Sequence, residues 1–125
     1  MPKTKVTLTV SSTEEYFDRV RKRAKALDRG EMLASEITIS FTDPMELLAV
    51  LTSERVRLLG QIKQRGQQIS ALAAELKRDV RAVSRDVALL EGAGLVRTSY
   101  QPNPGHGRRK LVEPVANSYR LVANL

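Results

Sequence analysis

Residues 69–96 read ISALAAELKRDVRAVSRDVALLEGAGLV, and this stretch decides the expected fold of the chain. Its apolar residues recur at helical spacing in two runs. The first run is Ile69, Leu72, Ala73 and Leu76, and the second is Val80, Val83, Val87 and Leu90. This spacing predicts two short helices joined by a tight turn, which Asp79 is placed to follow as a helix cap. The glycines at 92 and 94 predict the end of the second helix, and a strand is expected from Leu95.

The second of these helices is predicted to have an apolar side and a basic side. The apolar run is expected to face the core. A neighbouring stripe, at steps of three and four, consists of Arg81, Ser84, Arg85 and Ala88. Small and basic side chains allow a helix to approach DNA closely, and arginine can form paired hydrogen bonds to guanine or phosphate. We therefore expect Arg81, Ser84 and Arg85 to contact DNA bases.

Residues 83–96, VSRDVALLEGAGLV, resemble the recognition helix and its exit in winged helix-turn-helix regulators of the MarR and ArsR type. Such regulators typically read V-S-R-x-L-x-x-L-E-x-x-G-L-V. The resemblance implies a winged helix-turn-helix domain that binds DNA. Lys77 stands at the turn position where glycine is common in these proteins, so the turn is expected to differ there in backbone conformation.

A basic hairpin is predicted directly after this motif. Residues 95–100 (LVRTSY) and 108–112 (RRKLV) predict two strands, and the loop QPNPGHG between them is rich in turn-forming residues. In winged helices such a hairpin contacts phosphates or enters the minor groove. The turn and the hairpin therefore supply the expected contacts to the DNA backbone, namely Lys77, Arg78, Arg97, Arg108, Arg109 and Lys110.

The first 43 residues predict a small β-α-β unit. Residues 5–10 and 36–42 alternate apolar and polar side chains, as strands with one buried face do. Between them a helix is expected from the Ser12–Glu15 capping box to about Asp28, and a new helix is expected to begin at Asp43 and Pro44. The predicted fold is therefore α+β, with a β-α-β unit at 1–43 and a winged helix-turn-helix domain at 44–125. Two strands and a helix bury little surface alone, so the unit either dimerises, binds a partner or folds back on its own domain.

The charge of the chain favours a polyanionic partner. The formal net charge is +7. Residues 1–43 hold 8 Lys or Arg and 7 Asp or Glu, whereas residues 44–125 hold 13 and 7. The positive excess therefore lies in the half that contains the predicted DNA-binding motif.

The composition offers no support for several other classes of protein. The chain has no cysteine, which excludes disulfides and thiolate metal sites, and His106 is its only histidine. It shows no nucleophilic triad, phosphate-binding glycine loop or paired carboxylates, so we expect no enzymatic activity, no metal and no cofactor. No apolar run reaches membrane-spanning length, and the start lacks a signal-peptide core. A cytoplasmic protein without a membrane partner is expected.

These observations predict sequence-specific binding of double-stranded DNA by a homodimeric transcriptional regulator, expected to be a repressor that controls its own operon. The chain also resembles a group of small bacterial and archaeal predicted regulators, through the segment ISFT at 39–42 and the pattern that follows it to Leu59. Members of that group are often encoded beside a toxin. The resemblance implies an alternative function, an antitoxin that neutralises a cognate toxin through its N-terminal unit. Binding of structured RNA by the basic face is a third hypothesis.

Overall fold

The computed structural model describes residues 4–31, 36–63, 65–103, 105 and 107–124. In chain order its elements are β1 (Lys5–Val10), α1 (Thr13–Asp28), β2 (Glu36–Phe41), α2 (Pro44–Val50), α3 (Ser53–Ile62), β3 (Gln67–Gln68), α4 (Ile69–Leu76), α5 (Val80–Gly92), β4 (Val96–Asn103), β5 (Gly107–Pro114) and β6 (Ser118–Val122). The fold mixes helices and strands. The chain divides into two compact units, Met1–Ala49 with Ser118–Leu125, and Val50–Asn117.

A three-stranded parallel sheet forms the centre of the first unit. β1 lies between β2 and β6 and pairs in parallel with both. Val6 and Leu8 of β1 are fully buried, whereas Thr7 and Thr9 lie on the opposite face of the sheet. The sequence predicts that residues 119–123 either close the sheet of the winged domain or extend a dimer contact. In the structure β6 instead joins the sheet of the first unit beside β1.

The helices of the first unit begin at capping residues. The Ser12 hydroxyl accepts a hydrogen bond from the Glu15 amide at 3.1 Å, and the Asp43 carboxylate accepts one from the Met45 amide at 2.9 Å. Gly30, with a φ of 77°, follows the end of α1. These caps are local interactions, which is why the sequence predicted the bounds of α1 closely. The role of residues 1–43 in dimerisation or partner binding stays a prediction.

The second unit consists of three helices and an antiparallel sheet with the strand order β3-β5-β4. The helices α3, α4 and α5 precede the β4–β5 hairpin, and the short β3 pairs with β5 between α3 and α4. This is the element order of a winged helix-turn-helix, with α5 as the second helix of the motif and the hairpin as its wing. Residues from all of these helices and from the hairpin fill the core, including Leu58, Ile62, Leu72, Val83, Val87, Leu90, Leu95 and Val112.

Three sequence predictions in this unit are wrong in detail. Val80 was expected in the core but is 45% exposed, because it occupies the first position of α5 and the packed part of that helix begins one turn later at Val83. From the cap at Thr52–Glu54 and the apolar residues that follow, the sequence predicts a helix at 53–65, and in the structure this helix ends at Ile62. The chain must leave the helix early, since Gly66 passes so close to β5 that a Cβ there would lie 2.9 Å from the carbonyl oxygen of Val112. The hairpin strands extend further than expected, to Asn103 and from Gly107.

Candidate nucleic-acid interface

The helix α5 turns one stripe to the core and another outward. Val83, Val87 and Leu90 are fully buried. On the other side Arg81, Arg85 and Ala88 are exposed, and Ser84 is half-buried between them. All three predicted base contacts therefore lie on one accessible side of one helix. Asp79 stands at the N-cap position in an extended conformation, but its side chain makes no capping hydrogen bond.

The turn between α4 and α5 has the left-handed conformation that glycine usually supplies. Lys77 has φ 55° and ψ 46°. The Arg78 amide donates to the Ala73 carbonyl at 3.0 Å, and the Lys77 amide donates to the Ala74 carbonyl at 3.2 Å, which together form a Schellman motif. The expectation of a different backbone conformation at Lys77 is therefore wrong. The exposed lysine side chain lies next to the N-terminus of α5 in the sequence.

Replacing Lys77 by glycine should stabilise the protein by about 1 kcal/mol, since glycine removes the cost of a Cβ in the left-handed region. Lys63 offers a matched control, because it follows α3 with an ordinary right-handed φ of −60°. There glycine should destabilise by about 0.5–1 kcal/mol, since it only adds freedom to the unfolded chain. Urea unfolding of both variants measures the difference. Effects of the same sign at the two positions would contradict strain at Lys77.

The cations of the wing divide between the two faces of the hairpin. Arg97 pairs with Glu113 across the hairpin, and Arg109 pairs with Gln101, which places both exposed arginines on one face. Lys110 lies on the other face, which also carries the buried Val112, and its ammonium is 6.0 Å from the centre of the Tyr100 ring. The backbone of Arg108 lies in β5, but its side chain lies outside the described residues.

Arg109 and Arg78, two of the predicted contacts, form hydrogen bonds within the protein. The Arg109 guanidinium donates to the Gln68 side-chain oxygen at 3.1 Å and remains exposed. Arg78 is largely buried. Its Nη1 donates to Asp86 at 2.7 Å, and its Nε lies 3.4 Å from Glu54. These ion pairs hold the Arg78 guanidinium against the protein and leave it less free than Lys77 to meet a phosphate.

The aspartate that holds Arg78 joins α5 to α3. The Asp86 side chain is 11% exposed and also accepts a hydrogen bond from Arg55 Nε at 3.1 Å. Arg55 in turn donates to the Val50 carbonyl at 3.3 Å. No spacing pattern in the sequence predicts this network. Its only sign in the sequence is an aspartate on the apolar stripe of α5, between Val83 and Val87.

A second carboxylate attaches the wing to α5. Glu91, near the end of the helix, accepts a hydrogen bond from the Thr98 amide at 3.0 Å and another from the Thr98 hydroxyl. Both donors lie at the start of the hairpin in β4. The orientation of the wing relative to α5 is thereby fixed by side-chain bonds as well as by the short connection at 93–95. This contact also went unrecognised in the sequence.

Within the described ranges, no three His, Cys, Asp or Glu side chains come together as a group that could hold a metal ion. No helix there is long and apolar enough to cross a membrane.

Three solved structures are similar to the chain. A possible transcriptional regulator from Methanosarcina mazei Go1 superposes with a TM-score of 0.51 and 22% identity, over 61% of this chain and 68% of that one. This likeness shows a common fold. Reduced HlyU from Vibrio cholerae N16961 gives a TM-score of 0.48 at 15% identity, over 80% of each chain. The transcriptional regulator HlyU from Vibrio vulnificus CMCP6 gives 0.47 at 19% identity, over 80% of this chain and 81% of that one. No curated protein matches the chain significantly.

The model of one protein family, HVO_A0114, matches residues 50–114. That span runs from the end of α2 to the end of β5, and it contains the three helices and the hairpin of the second unit. It covers more than half of the 125 residues. The chain belongs to the HVO_A0114 family.

Proposed function

We propose that this protein is a transcriptional regulator that binds double-stranded DNA in a sequence-specific manner. The observation that supports it most is the outward stripe of α5, where Arg81, Ser84 and Arg85 are accessible while the opposite side of the helix is fully buried. The shared fold with a possible regulator from Methanosarcina mazei is consistent with it. The positive excess of residues 44–125 supplies the long-range attraction to DNA.

In this proposal α5 enters the major groove with its N-terminal half. Arg81 and Arg85 donate to guanine edges or phosphates, and Ser84, half-buried between them, approaches the same base pairs. Lys77 and the N-terminus of α5 bind the adjacent phosphates, where the helix dipole favours negative charge. Arg78, held by Asp86, chiefly orients the turn.

The wing completes the proposed interface with Arg97, Arg108, Arg109 and Lys110. Arg97 and Arg109 lie on one face of the hairpin and Lys110 lies on the other. A hairpin that lies flat along the backbone would use one face only, whereas a hairpin whose tip enters the minor groove can use cations of both faces. Comparison of single substitutions on the two faces distinguishes these two arrangements.

The proposed regulator acts as a homodimer and as a repressor of its own operon. Two copies would bind half-sites about 34 Å apart, one turn of the double helix. Repression by occupancy requires no cofactor and no enzymatic step. The competing proposal, binding of structured RNA by the same basic face, is tested by competition of duplex DNA against folded RNA.

Selection from a pool of random duplexes by the full-length protein tests the proposal. We expect enrichment of one palindromic site, with specific binding at least about a thousandfold tighter than binding to a random duplex. Fluorescence anisotropy with the selected site and a scrambled duplex measures that ratio. Equal affinity for both duplexes, or tighter binding of a folded RNA, would refute sequence-specific DNA recognition.

Replacing Arg109 by alanine should lower the slope of log K against log salt by about 0.9, the value expected for the loss of one phosphate contact. Affinity should fall to a similar extent for specific and random DNA, since a phosphate contact has no sequence preference. Arg21→Ala is the control, because Arg21 is exposed on α1 in an ion pair with Asp18 and lies outside the winged unit. An unchanged slope for Arg109→Ala would show that Arg109 makes no phosphate contact, and would contradict DNA binding by its face of the hairpin.

The alternative proposal is an antitoxin that binds a cognate toxin through its N-terminal unit. Apolar residues of α1 that remain exposed favour a partner for this unit, in particular Tyr16, Phe17, Val20 and Leu27. Co-expression with the product of the adjacent gene tests this alternative. Co-purification that is lost in Phe17→Ser, with DNA binding unchanged, would support it, and independent purification of the two proteins would refute it.

A further inference from the structure

The strand β2 forms an open edge of the parallel sheet. It pairs with β1 on one side, and no other described strand lies on its outer side. Its sequence, EITISF, has no lysine or proline, which commonly protect an exposed edge from pairing with another chain, and its one charged residue, Glu36, stands at its first position. Ile37 within it is 41% exposed. β6, at the other edge, carries a charged residue at its centre, Arg120.

The backbone of β2 shows which of its residues face outward. The Phe41 carbonyl accepts a hydrogen bond from the Ser11 amide at 2.9 Å, so the polar backbone groups of Phe41 point toward β1. These directions alternate along a strand. Glu36, Thr38 and Ser40 therefore direct their amide and carbonyl groups to the open edge.

We propose that β2 pairs with β2 of a second copy of this chain, antiparallel about a two-fold axis at Thr38. In this register Thr38 lies opposite Thr38 of the second copy, and Glu36 lies opposite its Ser40. All of these residues direct their backbone groups outward, so each opposed pair exchanges both of its hydrogen bonds. A two-fold axis makes every contact twice, and the two parallel sheets become one continuous sheet.

Side chains of this face favour a second copy as the occupant. Arg19 Nη2 donates to the Ser40 hydroxyl at 2.6 Å and to the Ser11 hydroxyl at 3.0 Å. The proposed register brings Glu36 of the second copy beside Ser40, and so its carboxylate meets the Arg19 guanidinium. Opposed threonines at the axis are a favourable cross-strand pair. At both ends the carboxylate of one copy lies near Arg19 on α1 of the other, which places opposite charges together. On the apolar face, Ile37 lies opposite Ile39 of the second copy.

A groove beside β2 gives these side chains room. Its volume is about 580 Å³, and it is lined by Tyr16, Arg19, Val20, Lys22, Arg23, Ala26, Glu36 and Thr38. The charged residues of this lining are three cations and one carboxylate. The excess of positive charge suits the entry of a carboxylate, and Glu36 of the second copy is the one that the two-fold axis supplies.

This inference rests on the proposed function in one respect: the pairing of two β2 strands would form the dimer in which the proposed regulator binds DNA. Dimerisation is measured without DNA, and DNA binding is measured separately on selected and scrambled duplexes. A monomeric protein that still selects a DNA site would overturn the inference and leave the proposed function standing. A stable dimer with no DNA selectivity would overturn the proposed function and leave the inference standing.

Disulfide trapping tests the register directly, because the chain has no cysteine of its own. Opposed residues in such a pair have Cα atoms about 5.5 Å apart, which a disulfide can span. Thr38→Cys should therefore form a covalent dimer under mild oxidation at micromolar concentration. Leu121→Cys, at an exposed position of the opposite edge strand, is the matched control and should remain monomeric. Equal cross-linking of the two variants would overturn the proposal.

A charge swap supplies a second test that does not depend on chemical trapping. Sedimentation of the unmodified chain should show a dimer, and Glu36→Arg should weaken it about tenfold or more by placing like charges together. Arg19→Glu should do the same, and the double variant should recover the dimer. A monomeric wild-type chain, or a double variant as weak as the single ones, would overturn the proposed pairing and leave the edge to another partner.

Discussion

Asp86→Ala is expected to destabilise the winged unit by about 3 kcal/mol, since it removes the only described carboxylate between two largely buried arginines. Asp86 accepts from Arg55 at 3.1 Å and from Arg78 at 2.7 Å, and its side chain is 11% exposed. Without it both guanidiniums lose the carboxylate that they share in a site that excludes most water, and Arg78 keeps only the longer contact with Glu54, at 3.4 Å, among its described carboxylate partners. Loss of the contact should also loosen α3 from α5.

Hydrogen exchange of the amides of α3 and α5 measures this effect where it arises, together with urea unfolding. Asp79→Ala is the matched control on the same helix, because Asp79 is exposed and makes no capping bond. Its effect should stay below about 1 kcal/mol. Asp86→Asn keeps the shape of the side chain and should recover only part of the loss. If Asp86→Ala cost no more than Asp79→Ala, the network would be an incidental contact.

Arg85→Ala is expected to weaken binding to the selected DNA site by about 1–3 kcal/mol, or roughly 5-fold to 150-fold. Arg85 lies on the accessible side of α5, one residue before Asp86 and one turn after Arg81. If it forms a bidentate contact with a guanine, its removal costs the specific complex far more than a random one. The measurement is anisotropy on the selected and the scrambled duplex at fixed salt.

Arg85→Lys separates charge from geometry at the same position. Lysine keeps the positive charge but lacks the planar fork that donates two parallel hydrogen bonds. A base contact predicts that Arg85→Lys also loses specificity, whereas a phosphate contact predicts that it retains most of the affinity. An equal loss on both duplexes in Arg85→Ala would assign the residue to phosphate.

The sequence predicted the features that depend on short-range patterns. The bounds of β1 and α1, the cap at Ser12 and the buried side of α4 all follow from residues within one or two turns of each other. The outward position of Arg81 and Arg85 followed from the same periodicity. These features could be predicted from the sequence because each depends on the order of neighbouring residues.

Features that depend on distant residues were missed. Arg55 and Asp86 are 31 positions apart, and no local pattern connects them. Val80 fits the apolar stripe by spacing, but its exposure depends on where the core of the unit begins. The left-handed conformation of Lys77 was missed for a different reason: the Schellman hydrogen bonds to Ala73 and Ala74 are local, but a lysine gives no sign of the positive φ that they require.

The place of β6 has a consequence for how the protein is made. β6 pairs with β1, the first strand of the chain, yet it follows the whole winged unit in the order of synthesis. The ribosome therefore delivers every element of the winged unit before the sheet of the first unit has its third strand. A nascent chain can complete its winged unit before the first unit has β6, which pairs with β1 across more than a hundred residues of sequence.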